Sequence, residues 1–223
     1  MRWGWRWLWP KAAKAPAADE LRWVVVDVES SGLDPAHDRL LAIGAVALRW
    51  DRAPSRPPRM WLDAADSFEA KIGQPVGAAR PDRANILIHG IGVGAQRRGQ
   101  PAAQVLRDFN VWAGASPRLG YHVGFDRLML DAACRQTLGR AAAARWLDIE
   151  ALAAVARPDV KARSLDEWLA HFGIVNAARH DALADAQASA ELMLCLGPAL
   201  QREKATTWAD CRRLAARRRW LTV

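Results

Sequence analysis

At 223 residues, 51% hydrophobic and 25% charged, the chain has the length and composition of one globular α/β domain with short extensions. No apolar run approaches the roughly 18–20 residues that span a bilayer, and the interrupted, charged start lacks the apolar stretch of a signal peptide. Three scattered cysteines without a CxxC pair argue against a disulfide framework and a zinc site, so a reducing, cytoplasmic setting is expected, with no transmembrane segment. The net charge of +8 is concentrated at the ends. Residues 1–18 carry +4 and residues 201–223 carry +5, which leaves about −1 for residues 19–200. Basic ends of this kind suit a polyanion such as nucleic acid, and equally suit plain solubility.

In chain order, residues 1–20 form an appended segment with Trp3, Trp5, Trp7 and Trp9 at alternate positions, followed by an Ala/Lys/Pro linker. Residues 21–198 form the main domain. Arg22 to Val28 is a β-branched run typical of a buried central strand. Leu40 to Trp50 and Met60 to Lys71 follow as strands, so the three predict an antiparallel meander. The period then changes. Pro101 to Trp112 predicts a helix that buries Val105, Leu106, Phe109 and Trp112. Arg118 to His122 predicts a strand, and Phe125 to Leu138 a helix with Leu128, Met129, Ala132 and Ala133 inward. Arg145 to Ile149 predicts a fifth strand, and Ser164-Leu165-Asp166-Glu167 a capping box opening a helix that stops at Gly173. Asp181 to Leu196 predicts another helix. A basic tail over 199–223 predicts a last helix from 199 to 219. The expected architecture is α/β, a mixed five-stranded sheet flanked by helices.

Three short motifs carry chemistry. In Val26-Asp27-Val28-Glu29, strand alternation puts both carboxylates on one face. Two acids on so apolar a strand are costly unless a cation neutralises them, which points to a hard divalent ion, Mg²⁺ or Mn²⁺. Read alone, a D-x-E at a strand end equally suits protrusion into solvent. In Gly120-Tyr121-His122-Val123-Gly124-Phe125-Asp126 a strand ends in a turn of small residues, and Asp126 sits in the first turn of the next helix. There it also serves the helix dipole. In His180-Asp181-Ala182-Leu183-Ala184-Asp185, the acid lies one turn inside a helix among small residues that permit close approach to the sheet. The spacing of His180 suits a mobile proton acceptor better than a ligand on the same helix face.

Taken together and in this order, the motifs resemble the DnaQ-like, or DEDDh, exonuclease family. Its pattern is D-x-E-[TS]-[TS]-G-L, then a strand and turn ending N-x-x-F-D, then H-x4-D. Ile88-His89-Gly90-Ile91 is also similar to the family's histidine–glycine loop, and the resemblance runs from about residue 21 to 197. His122 stands where the family usually has Asn, and Ser30-Ser31 replace the commoner Thr pair. The resemblance implies an RNase H-like fold and 3′→5′ removal of nucleoside 5′-monophosphates. It implies two divalent cations, roughly 4 Å apart, held by Asp27, Glu29, Asp126 and Asp185, with His180 as general base. Ser30, Ser31, Gly32 and Leu33 are expected to hold the terminal nucleotide, with His89 and His122 beside them. The expected partner is single-stranded or 3′-ended nucleic acid, DNA ahead of RNA. Arg212, Arg213, Arg217, Arg218 and Arg219 would track its phosphates. A DNA polymerase or sliding clamp docking on the C-terminal helix is the rival reading of that tail. An RNA-trimming enzyme and a non-catalytic polymerase-accessory module remain the alternatives for the whole.

Overall fold

The computed structural model describes residues 20–53, 55–75 and 83–220, the last two by backbone alone. The tryptophan-rich segment through residue 19 and the side chain of Arg219 therefore lie outside the described residues. The sheet is built from β1 (Arg22–Ser30), β2 (Leu40–Asp51), β3 (Arg59–Lys71), β4 (Arg118–Gly120) and β5 (Trp146–Asp148), in the order β3-β2-β1-β4-β5. The first three strands are antiparallel neighbours, whereas β4 pairs parallel to β1 and β5 parallel to β4. The mixed five-stranded sheet and its meander are as expected.

β1 is central and covered on both faces, which is why it reads as a continuous apolar run rather than an alternation. Alternation still sorts its residues. Trp23 and Val25 enter one core with Leu48 and Trp50, while Val24, Val26 and Val28 enter the other with Phe109, Met129 and Leu130. The second core is roofed by α3 (Ala102–Ala113) and α4 (Gly124–Leu138). The first is roofed by α5 (Ile149–Ala156), α6 (Leu165–Phe172), α7 (Ala182–Arg202) and α8 (Trp208–Ala216). Two short helices, α1 (Arg83–His89) and α2 (Val93–Arg98), precede α3.

Four sequence expectations need correction. The buried face of α4 is Asp126, Met129, Leu130 and Cys134, with Leu128 turned out. Asp126 is drawn inward by a hydrogen bond from the Val28 backbone N–H (3.0 Å), and this turns the helix about one residue from the expected face. The box at the start of α6 is half made: Ser164 Oγ accepts from the Glu167 N–H, but the Glu167 carboxylate accepts from Arg163 rather than from the cap. A complete box, Thr207 with Asp210, opens α8 instead.

The single helix expected over 199–219 is divided. α7 runs through to Arg202, Lys204 turns left-handed (φ 54°), and α8 begins at Trp208. Far from a loose tail, α8 buries Trp208, Cys211, Leu214 and Ala215, and the Trp208 ring meets Trp23 edge-on at 5.4 Å. The boundary expected at 198/199 falls inside α7, and residues 199–216 complete the first core.

Candidate active site

Odd-numbered residues of β1 face α7, so Asp27 and Glu29 point to the side on which that helix begins. The helix starts there because Asp181 caps it, accepting from the Ala184 N–H. Its approach is unusually close. Asp27 pairs with Gly44 of β2, and a Cβ at Gly44 would lie 2.1 Å from the Ala182 carbonyl carbon. Only glycine admits the α7 backbone at this height, and Asp185, one turn on, is thereby lowered onto β1.

Asp27, Glu29 and Asp185 each offer a carboxylate oxygen, and these oxygens lie within 4.8 Å of one another. Asp126 reaches the same end of β1 from the opposite layer. It is buried, holds the Val28 N–H, and its charge acts on Asp27, although its oxygens lie outside the three-residue cluster. Burial, and then the neighbouring carboxylates Asp126, Asp185 and Glu29, push the Asp27 carboxyl well above its ordinary range. Burial followed by Asp185, Asp181 and Asp126 pushes Glu29 up to about 8, and burial pushes Asp126 up to about 7. Asp27, Glu29 and Asp126, whose charged forms are disfavoured by burial, make with Asp185 a donor set suited to divalent cations. Three of the four expected ligands are thus brought together, with the fourth against them.

Asp185 is itself held on three sides. It accepts from the Arg179 guanidinium (2.6 Å), from the His180 backbone N–H (3.0 Å) and from the Asn176 side-chain amide. His180 is exposed, has a left-handed backbone (φ 63°), and lines a cleft of about 310 Å³ together with Asp27, Glu29, Tyr121, His122 and Asp185. His122 is also left-handed (φ 54°), and its ring lies 4.6 Å from that of Tyr121.

The other expected binding residues are placed differently. Ser30 Oγ donates to the Gly32 carbonyl (2.6 Å), while Ser31 Oγ donates to Asp38 and accepts from the Arg39 N–H. Both hydroxyls are thus used in folding the turn itself. A Cβ on Gly32 would meet the Asp38 carboxylate at 2.4 Å, so that glycine also serves the turn. Leu33, by contrast, is 87% exposed. His89 is buried at the end of α1, and its Nδ1 accepts from the Ile91 N–H (3.0 Å), which locks the Ile88–Ile91 loop.

The basic residues at the end of the chain are largely paired internally. Arg213 meets Asp210, Arg217 meets Glu203 (3.0 Å) and Arg218 meets Glu150 (2.8 Å), whereas Arg212 stands exposed. Arg179, Asn176, Tyr121 and Gly44 were not anticipated. A glycine inside an apolar strand does signal a close backbone approach, and Arg179 adjoins the histidine motif. Asn176 and Tyr121 gave no comparable signal.

A buried carboxylate cluster at the end of a central strand, crossed by a helix start and open to a cleft, defines a metal-dependent hydrolase of RNase H-like fold. The sequence profile of the exonuclease family RNase_T matches residues 24–193, and the chain belongs to that family. Its relatives include a DNA polymerase III subunit epsilon-like protein of Rhodobacter capsulatus, 30% identical over 85% of this chain and 26% of the relative. Another is the PolC-type DNA polymerase III of Bacillus subtilis, 27% identical over 79% of this chain and 11% of the relative. The chain therefore spans about a quarter or less of these relatives' lengths. Among solved structures, E. coli Exonuclease I in complex with a dT13 oligonucleotide is similar in fold, with a TM-score of 0.65 at 18% identity, covering 81% of this chain and 42% of that one. So is the nuclease domain of 3′hExo, a DEDDh family member bound to rAMP, with a TM-score of 0.63 at 15% identity and coverage of 86% and 97%. Fold, family and acidic cluster agree on an exonuclease domain. Among the described residues, no helix is long and apolar enough to cross a membrane.

Proposed function

We propose that this protein removes nucleoside 5′-monophosphates from the 3′ end of DNA in proofreading or repair, using Mg²⁺ or Mn²⁺. The observation that carries this reading is the convergence of Asp27, Glu29 and Asp185 beside buried Asp126, with the Asp27 and Glu29 carboxyls raised by burial and then by neighbouring acids and that of Asp126 raised by burial. These four residues would hold the divalent cations, which when bound neutralise charge on the scissile phosphate and its leaving oxygen. His180, exposed at the cleft rim, takes the proton of the attacking water. Leu33, exposed at the turn after β1, packs against the terminal base.

DNA and a polymerase partner are favoured because the sequence relatives are DNA polymerase III proteins. The similarity to a nuclease domain bound to rAMP favours RNA as the second reading. Free cysteines at 134, 195 and 211 are in keeping with a cytoplasmic setting. The test is digestion of matched 5′-labelled DNA and RNA oligonucleotides with Mg²⁺ or Mn²⁺, beside Asp27→Ala. Stepwise shortening of DNA from the 3′ end, lost in the variant, is expected. Preferential shortening of RNA would reassign the substrate, and equal activity of the variant would overturn the site.

A further inference from the structure

The acidic cluster already contains a cation of its own. Arg179 lies in the loop before α7 and bridges two carboxylates: Nη1 to Asp185 at 2.6 Å and Nε to Asp166 at 2.7 Å. The two partners differ in setting. The Asp185 side chain is 6% exposed and belongs to the cluster, whereas that of Asp166, at the start of α6, is 62% exposed. Arg179 itself is one-third exposed at the edge of the cleft, so its guanidinium has solvent to turn into. Asp185 is already committed to three donors, and a carboxylate offers about four lone-pair positions. A divalent cation shared with Asp27 and Glu29 would meet a like charge hydrogen-bonded to the same carboxylate, which is repulsive at such distances.

We propose that Arg179 is the built-in counter-ion of Asp185, and that Asp185 exchanges it for a divalent cation while Asp166 retains the guanidinium at the cleft rim. The proposal rests on the reading of Asp27, Glu29 and Asp185 as cation ligands. His180 directly follows Arg179 and its N–H also holds Asp185, so the exchange is coupled through one peptide unit to the proton acceptor.

The proposal is tested without substrate, on the full chain. Mn²⁺ binding is measured by calorimetry for wild type, Arg179→Gln and Arg179→Lys. The ¹⁵N resonance of the Arg179 side chain, identified by its loss in the lysine variant, is followed as Mg²⁺ is added. Arg179→Gln should bind Mn²⁺ about fivefold more tightly, the scale of a partly exposed ion pair removed from competition. Arg179→Lys, which keeps the charge but cannot span both carboxylates, should fall between the two. The Arg179 resonance should shift in step with Mg²⁺ occupancy. Unchanged or weaker Mn²⁺ binding by Arg179→Gln, or an Arg179 signal indifferent to saturating Mg²⁺, would overturn the exchange while leaving the catalytic reading intact. Absence of Mn²⁺ binding by wild type would overturn both.

Discussion

Replacing Gly44 by alanine tests whether backbone contact between β2 and α7 sets the geometry of the proposed site. The added methyl would lie 2.1 Å from the Ala182 carbonyl carbon, 2.2 Å from the Leu183 nitrogen and 2.4 Å from the Ala182 oxygen. All three are main-chain atoms, so no side chain can rotate away. Carbon atoms pack at about 3.5–4.0 Å, and the start of α7 must therefore retreat by roughly 1 Å or more. Overpacking of this kind costs about 1–3 kcal/mol of stability. Asp185 and the peptide carrying His180 would retreat with the helix, and a misplacement of about 1 Å costs on the order of 10²-fold in rate. Gly44→Ala should therefore remain folded by urea titration yet lose about 10²-fold in kcat on a 3′-ended oligonucleotide, with weaker Mn²⁺ binding. A variant with near-wild-type kcat and Mn²⁺ affinity would refute the reasoning, because the helix position would then not be what places Asp185.

The raised carboxyls predict a pH dependence for the cation-free protein. Glu29 and Asp126 are held near 8 and 7 in the folded chain, against ordinary values of 4.5 and 3.8. The folded state therefore binds more protons between those limits, and stability should fall as pH rises from about 4 to 8. Thermal melts in EDTA at pH 5 and pH 8 should show this loss, and Mg²⁺ should reverse it at pH 8 but not at pH 5. A flat profile would mean that burial does not hold these carboxyls up as described. His180→Asn should lower kcat by about 10²–10⁴-fold, with Mn²⁺ affinity held close to wild type; a parallel loss of Mn²⁺ binding in calorimetry would make His180 a ligand instead. Trp208→Ala should cost about 3–5 kcal/mol in urea denaturation, whereas a change in salt-dependent DNA binding alone would mean that α8 is a separable tail.

The acidic face of β1 is legible in the sequence because alternation is local: Asp27 and Glu29 must share a face wherever that strand lies. The small residues around Asp185 likewise announce a close approach. What escapes is what tertiary contact decides. The Asp126 carboxylate is recruited by the Val28 peptide and rotates α4 away from its apolar optimum. The hydroxyls of Ser30 and Ser31 are taken up by their own turn, which no spacing rule reveals. In α8 the apolar set Trp208, Cys211, Leu214 and Ala215 has helical spacing, but Arg212 and Arg213 within it and Arg217 to Arg219 after it dominate the charge of the segment. The charge is that of a free end, while the periodicity is that of a helix packed on the core.

The left-handed backbones at His122 and His180 limit what can replace them. Positive φ is tolerated by glycine, and more readily by Asn, Asp and His than by other residues, while β-branched side chains are strongly disfavoured there. The exchange of the usual family Asn for His at position 122 stays within that short alphabet. It changes the chemistry offered to the cleft and leaves the main chain undisturbed. Position 122 can therefore be varied among Asn, Asp, His and Gly with little strain, since most other side chains would strain the backbone there.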